Sequence, residues 1–175
     1  TMATWTIDNN HSEVGFKVKH LVISTVSGSF KKFEGGLQAE KEDFSDAEVW
    51  FNADVKSINT GNEQRDGHLR SADFFDADNF PEIRFESSKI TKKDDSEYLL
   101  EGVLTIRGNS HPVKLNVEFG GVQQDFYGNT VAGFELNGKI SRKEFGLQWH
   151  AVTETGGVVV GDEVKLHMNV ELIKK

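Results

Sequence analysis

Apolar side chains recur at every second position through most of the chain, which is the spacing of half-buried β-strands. In the segment at residues 13–20, for example, Val14, Phe16 and Val18 share one face, whereas Lys17 and Lys19 take the other. About eight or nine segments behave in this way, at residues 5–7, 13–20, 28–37, 49–55, 83–90, 98–106, 113–119, 132–140 and 164–172. Short turns rich in Gly, Asn, Asp and Ser separate them. The pattern predicts an antiparallel all-β fold, either a sandwich or a closed barrel.

The alternation fails between Asn59 and Pro81. Thr60 and Glu63 have the spacing of a capping box, which predicts a short helix over about residues 61–70. The rest of the segment is aromatic and needs burial, and loops longer than about 12–15 residues are usually functional or disordered. We therefore expect a short helical cap over one end of the barrel, at about residues 60–80.

Length and charge limit the possible functions. The 175 residues have the size of one domain, and no linker divides residues 1–175. The net charge of −8 disfavours nucleic acid as a partner. No apolar run approaches the roughly 20 residues of a membrane-spanning helix. No signal peptide is visible, so the expected compartment is the cytoplasm, or the periplasm if a leader has been removed.

The predicted cap also contains a cluster of ionisable side chains that is a candidate site: Arg65, Asp66, His68 and Asp73. These side chains could perform acid–base catalysis or bind a polar head group, but a network that pins the cap to the barrel rim is the more ordinary interpretation. Asp66 and Arg70 are four residues apart and are expected to form a surface pair.

No motif identifies a nucleophile, a phosphate loop or a metal site. The six histidines lack the usual ligand spacings, and cysteine is absent. We therefore expect no catalytic residue, no metal and no cofactor.

The inward rows mix bulky residues with minimal ones, for example Phe16 and Phe51 with Gly28 and Gly102. Such a mixture can fill a tapering core, or it can leave a channel for one small ligand. His20 ends an inward row, where it could bind a ligand head group or simply bond a backbone carbonyl.

The outward rows carry a few apolar residues that a monomer would leave exposed: Trp50, Ile58, Leu99 and Val103. Adjacent apolar residues on a surface often mark an interface, so a homodimer is expected.

Ordered blocks along the chain carry a family resemblance. They are Trp5-x-Ile7-Asp8-x-x-His11-Ser12-x-Val14-x-Phe16, Arg65-Asp66-x-His68-Leu69-x-Ser71-x-Asp73-Phe74-Phe75-Asp76, Phe80-Pro81-x-Ile83-x-Phe85, Gly102-x-Leu104-Thr105-Ile106-x-Gly108 and Arg142-x-x-Phe145-Gly146. From Trp5 to about Leu172 the chain resembles the YceI-like family of polyisoprenoid-binding proteins.

The resemblance implies an extended, eight-stranded, antiparallel, lipocalin-like β-barrel that carries a long-chain lipid such as a polyisoprenoid, a quinone-like compound or a fatty amide. An isomerase or hydrolase acting on an apolar substrate is the alternative. With the resemblance, the apolar inward rows, the two cap phenylalanines and His20 become candidate ligand-binding residues. They are Phe16, Val18, His20, Phe30, Phe51, Phe74, Phe75, Phe85, Leu104 and Phe134.

Overall fold

The computed structural model describes residues 2–20, 23–147 and 160–175, with the side chain of His20 left out. Its strands are β1 Ala3–Ile7, β2 Glu13–His20, β3 Ser24–Phe30, β4 Phe33–Ala39, β5 Glu48–Asp54, β6 Ile58–Asn59, β7 Glu82–Lys92, β8 Glu97–Ile106, β9 Asn109–Gln124, β10 Thr130–Ser141 and β11 Val160–Lys174. One α-helix, α1 (Glu63–Arg70), precedes β7, and 3-10 turns occupy Asn9–His11, Val55–Ser57 and Arg142–Phe145.

The sheet closes on itself through β11. One edge of β11 pairs with β10, and its other edge pairs with β2 over Val160–Asn169 and with β1 over Leu172–Lys174. The segments β1 and β2 are therefore two halves of one strand, broken by a 3-10 turn. A 3-10 turn likewise separates β5 from β6, and the two residues Lys31 and Lys32 separate β3 from β4, so each of these pairs also makes one strand. The eleven segments make an eight-stranded, closed, antiparallel β-barrel with one short helix, and the expected fold class is confirmed.

Residues 40–47, between β4 and β5, plug one end of the barrel; we call them the plug. The Phe44 ring lies within 5.4 Å of the ring centroids of Trp5, Phe119 and Phe134. Phe44 has a φ of 62°, which is rare for a bulky residue. Burial of its ring offsets this strain.

The opposite end is covered by residues 61–80, which we call the cap. Two aromatic side chains of the cap pack into the end of the barrel. The Phe75 ring packs edge-on against Phe30, and Phe74 is 5% exposed. Arg107, in the turn between β8 and β9, donates through Nη1 to the carbonyl oxygens of Phe74 and Gly146, at 3.0 Å each. These bonds fasten the cap to the neighbouring 3-10 turn at the same end.

Two expectations about the cap were wrong. The expected capping box of Thr60 and Glu63 does not form, because the helix begins at Glu63. Its N-cap is Asn62, whose side chain accepts from the Arg65 N–H at 3.0 Å. The expected pair of Asp66 and Arg70 does not form. Asp66 is buried and accepts two hydrogen bonds from Thr60 instead, and Arg70 pairs with Glu63. Arg70 also donates to the backbone carbonyl oxygens of Lys56 and Ile58, so its guanidinium group is engaged away from Asp66.

The outward apolar residues do not form one patch. Ile58 is 1% exposed, contrary to expectation, because β6 pairs with β3 and turns this side chain into the core. Trp50 and Val103 are exposed on one cross-strand row, but Glu86 lies between them. The homodimer stays a prediction.

Candidate functional site

A continuous apolar cavity of about 230 Å³ runs through the barrel interior from the plug to the cap. We call it the tunnel. Phe44 lines it at one end and Leu69, Phe74 and Phe75 at the other. On β11 the lining includes Val160 and every second residue from Val164 to Leu172, and this second stretch alone spans about 26 Å of strand. For comparison, an engineered apolar cavity of about 150 Å³ stays dry and binds benzene. The shape suits a slender chain better than a compact ligand.

Glycines keep the tunnel open by letting large side chains lie against its wall. A Cβ atom on Gly28 would lie 2.4 Å from Cζ of Phe16, its cross-strand partner. The Phe16 ring therefore occupies the space of the missing side chain. Gly102 accommodates the ring of Phe85 in the same way, with 2.6 Å to Cζ. Carbon atoms in contact normally lie about 3.5–4.0 Å apart, so neither arrangement tolerates a larger residue without movement.

Large side chains also lie over glycines of adjacent strands at two other places in the barrel. Gly138 lies under Leu115, its partner on β9, and Gly35 lies under Phe51, its partner on β5. Each glycine occupies an inward position and each covering residue belongs to the adjacent strand. The mixture of bulky and minimal residues thus forms a wall around an open lumen as well as a packed core.

Polar groups are rare on the described tunnel wall. The Tyr98 hydroxyl, at the plugged end, donates to the backbone carbonyl oxygen of Asp43. Burial raises the pKa of Tyr98, so the neutral donor form is favoured. Asp43 in turn bonds Ser45 and pairs with Lys92 at 3.2 Å, and these contacts hold its pKa far below the usual range. The plugged end is therefore held closed by Tyr98, Asp43 and Lys92, whose polar groups bond one another.

The structure brings together nine of the ten residues predicted to bind a ligand, since all of them except His20 line the tunnel. The side chain of His20 lies outside the described residues. Whether the nine contact a ligand stays a prediction. Phe44 and Arg142, which also line the tunnel, had no predicted role. Phe44 follows four charged residues, at positions 40–43, that show no apolar periodicity. Arg142 belongs to a quoted family block whose role was not inferred.

The predicted cap network divides into two groups. Arg65 donates through Nε to the Thr60 hydroxyl at 2.8 Å, and the same hydroxyl donates to Asp66 at 2.5 Å. His68 bonds Asp73 at 2.9 Å. Arg65, Asp66, His68 and Asp73 are absent from the described lining of the tunnel. The first group ties α1 to Thr60, which follows β6, whereas the second lies within the cap. A role of these side chains in pinning the cap to the barrel rim stays a prediction.

A second polar group lies at the break between β1 and β2. Asp8 accepts from the N–H of Asn10 and bonds Nδ1 of His11 at 2.8 Å, and Glu171 is close by. Asp8 raises the pKa of His11. Motif spacing could not reveal this cluster, because Glu171 comes from the far end of the chain. Capping of the 3-10 turn accounts for its position.

The sequence model of the YceI-like domain matches residues 5–172. The chain belongs to the YceI-like family. UPF0312 protein SA2479 from Staphylococcus aureus (strain N315) is 38% identical over 171 residues, which cover 97% of each chain.

Solved structures agree in fold. The YCEI protein of Campylobacter jejuni is 36% identical, with a TM-score of 0.76 and 96% of each chain covered. A polyisoprenoid binding domain from Saccharophagus degradans has a TM-score of 0.66 over 98% of each chain, at 14% identity. This low identity shows a shared fold alone. Within the described residues, no helix combines the length and the hydropathy that crossing a membrane requires.

Proposed function

We propose that this YceI-like protein is a non-enzymatic carrier that holds one long-chain amphiphile in its tunnel. The observation that carries the proposal is the tunnel itself, which is long, narrow and lined almost wholly by apolar side chains among the described residues. Such a wall binds a hydrocarbon chain through buried area, at about 0.8 kcal/mol for each methylene removed from water. A polyisoprenoid, a quinone-like compound or a fatty amide fits this description.

Two further points support a carrier. The solved domain from Saccharophagus degradans, which has the same fold, is described as polyisoprenoid binding. In addition, the acid–base groups of the cap are engaged with one another or with Thr60, away from the tunnel wall. A barrel enzyme would need such groups within hydrogen-bond reach of its substrate. The carrier is therefore the better-supported proposal.

Mass spectrometry of an organic extract tests the proposal. Protein purified without detergent should release close to one equivalent of a long-chain lipid, because many buried methylenes make dissociation slow. Delipidated protein should then bind a fluorescent long-chain probe, with one site per chain. An empty extract together with no probe binding by the folded protein would refute the carrier function.

A further inference from the structure

Strands β9 and β10 part before they reach the capped end of the barrel. Their pairing ends at Leu115 and Gly138. Beyond that point β9 still pairs with β8 as far as Asn109, and β10 still pairs with β11 as far as Ser141. Residues 109–114 and 139–141, all of them described, therefore face each other without pairing as strands. We call this opening in the barrel wall the gap.

The last 3-10 turn closes the gap at the barrel rim. Asn109 donates through Nδ2 to the Phe145 carbonyl oxygen at 2.9 Å, and the ring centroids of His111 and Phe145 lie 5.1 Å apart. Pro112 lies further in, on the part of β9 that β10 does not cover. Proline cannot donate to a strand ladder and is found at strand edges, so it suits an edge that stays unpaired.

A groove of about 720 Å³ lies over the gap on the outer face of the barrel; we call it the groove. Its described lining includes Lys114 and Lys139, whose side chains are exposed on either side of the gap, and Glu101 on β8. Val113 and Ile140 line the groove and also line the tunnel. The groove and the tunnel therefore meet between these two side chains.

The groove offers what the tunnel lacks, which is a polar surface open to water. The plug and the cap cover the two ends of the tunnel, and a head group enclosed between them would find few partners on the described wall. Burial of a polar group without a partner is costly. In the groove, Lys114 pairs with Glu101 and Lys139 pairs with Glu163, each at 3.8 Å, so donors and acceptors stand next to the gap.

We propose that the gap is a lateral portal of the tunnel. The hydrocarbon chain of the ligand passes between Val113 and Ile140, and a bulky hydrophilic head group, such as a sugar, stays in the groove. This inference rests on the proposed carrier function and adds to it the route of entry and the place of the head group.

Amphiphiles that share one chain and differ in their head groups test where the head group lies. Decanol, decyl glucoside and decyl maltoside, each below its critical micelle concentration, displace a fluorescent alkyl probe from delipidated protein. The three Kd values should agree within about threefold, because the same chain is buried and every head group stays in water. Rejection of both glycosides by a protein that binds decanol would place the head group inside the barrel and overturn the portal.

Thiol labelling locates the head group on the surface, and the absence of native cysteine makes it specific. Lys114→Cys should react with a maleimide several-fold more slowly when decyl maltoside is bound than when decanol is bound. Asn116→Cys is the matched control, because Asn116 is exposed on the same face of β9 but is absent from the described lining of the groove. Its labelling rate should be the same with both ligands, and equal rates at position 114 as well would remove the head group from the groove.

A cross-link across the gap tests the route. Lys114→Cys combined with Lys139→Cys places two thiols just beyond the last paired residues, to be joined by oxidation or, where no disulfide forms, by dibromobimane. Decyl maltoside should then bind and leave about tenfold more slowly than in the same variant without the cross-link, because the strands can no longer separate there. Asn116→Cys combined with Asn137→Cys is the control, since these two residues are already paired across β9 and β10, and its cross-link should leave both rates unchanged.

Rates that ignore the cross-link at the gap would overturn the portal. That result, like the two contrary results above, leaves the carrier function standing, because the chain still binds in the tunnel. Failure of the probe and of all three decyl compounds to bind the folded protein would instead remove the carrier function itself.

Discussion

Replacement of Gly28 by alanine should narrow the tunnel with little effect on folding. The new Cβ would lie 2.4 Å from Cζ and 2.9 Å from Cε1 of Phe16, and 2.9 Å from Cγ2 of Thr60. All three neighbours are side-chain atoms, so the strands need not separate. To restore an ordinary carbon contact the Phe16 ring must move by about 1 Å, and the tunnel is the open space beside it.

The magnitude follows from the chain length that the displaced ring excludes. If it blocks about two methylene positions, the loss is about 1.6 kcal/mol, or about 15-fold in Kd. The free energy of unfolding should change by less than about 1 kcal/mol, because reduced freedom of the unfolded chain offsets mild crowding. Calorimetric titration with a long-chain fatty acid and urea unfolding measure the two quantities separately.

Gly133→Ala is the control, since a Cβ atom there meets no other atom within 4 Å and Gly133 is absent from the described tunnel lining. It should alter neither quantity appreciably. Suppose instead that Gly28→Ala lowers the unfolding free energy by about 1–3 kcal/mol and leaves Kd unchanged. Then the ring has no lumen to enter, and the interior is a solid core.

Three other predictions concern separate parts of the chain. Phe51→Trp should weaken the binding of a long-chain ligand while the melting temperature stays near that of the wild type. A loss of about 1–3 kcal/mol in unfolding free energy, with ligand binding unchanged, would indicate a solid interior. Gly67 is exposed in α1, and a Cβ atom added there would have no other atom within 4 Å. Gly67→Ala should therefore stabilise the protein by up to about 1 kcal/mol without changing the Kd for the ligand, and a destabilised variant would contradict this. Asp8 raises the pKa of His11 above 6.5 in the folded state, so the protonated His11 stabilises the fold. His11→Gln should therefore lower the unfolding free energy at about pH 5.5. The difference should vanish at about pH 8.5, where His11 has lost its proton in the folded state as well. Urea unfolding at both pH values checks this, and a stability difference that grows with pH would refute it.

Local pattern determined much of the fold. Alternation of apolar and polar residues is a property of each strand by itself, so the strand segments and the inward rows of Phe16 and Phe51 could be identified without any partner strand. The cap was located for a similar reason, since Pro81 and the loss of alternation are local signals. The family blocks then selected a barrel over a sandwich, and the structure confirmed it.

Contacts between distant segments decided the rest. Gly28 lies under Phe16 only because β2 and β3 pair in one register, and a shift by one residue would turn every side chain to the other face. Phe44 closes the barrel through rings contributed by three other strands, and no local period marks it.

Burial of single residues was likewise a tertiary outcome. Ile58 is turned inward by its pairing with β3, although it had been assigned to the outer face. Arg142 occupies the tunnel wall because carbonyl oxygens from residues 147, 160 and 161 converge on its guanidinium group. A sequence states that an arginine is charged, but only the folded chain supplies the acceptors that allow it to be buried.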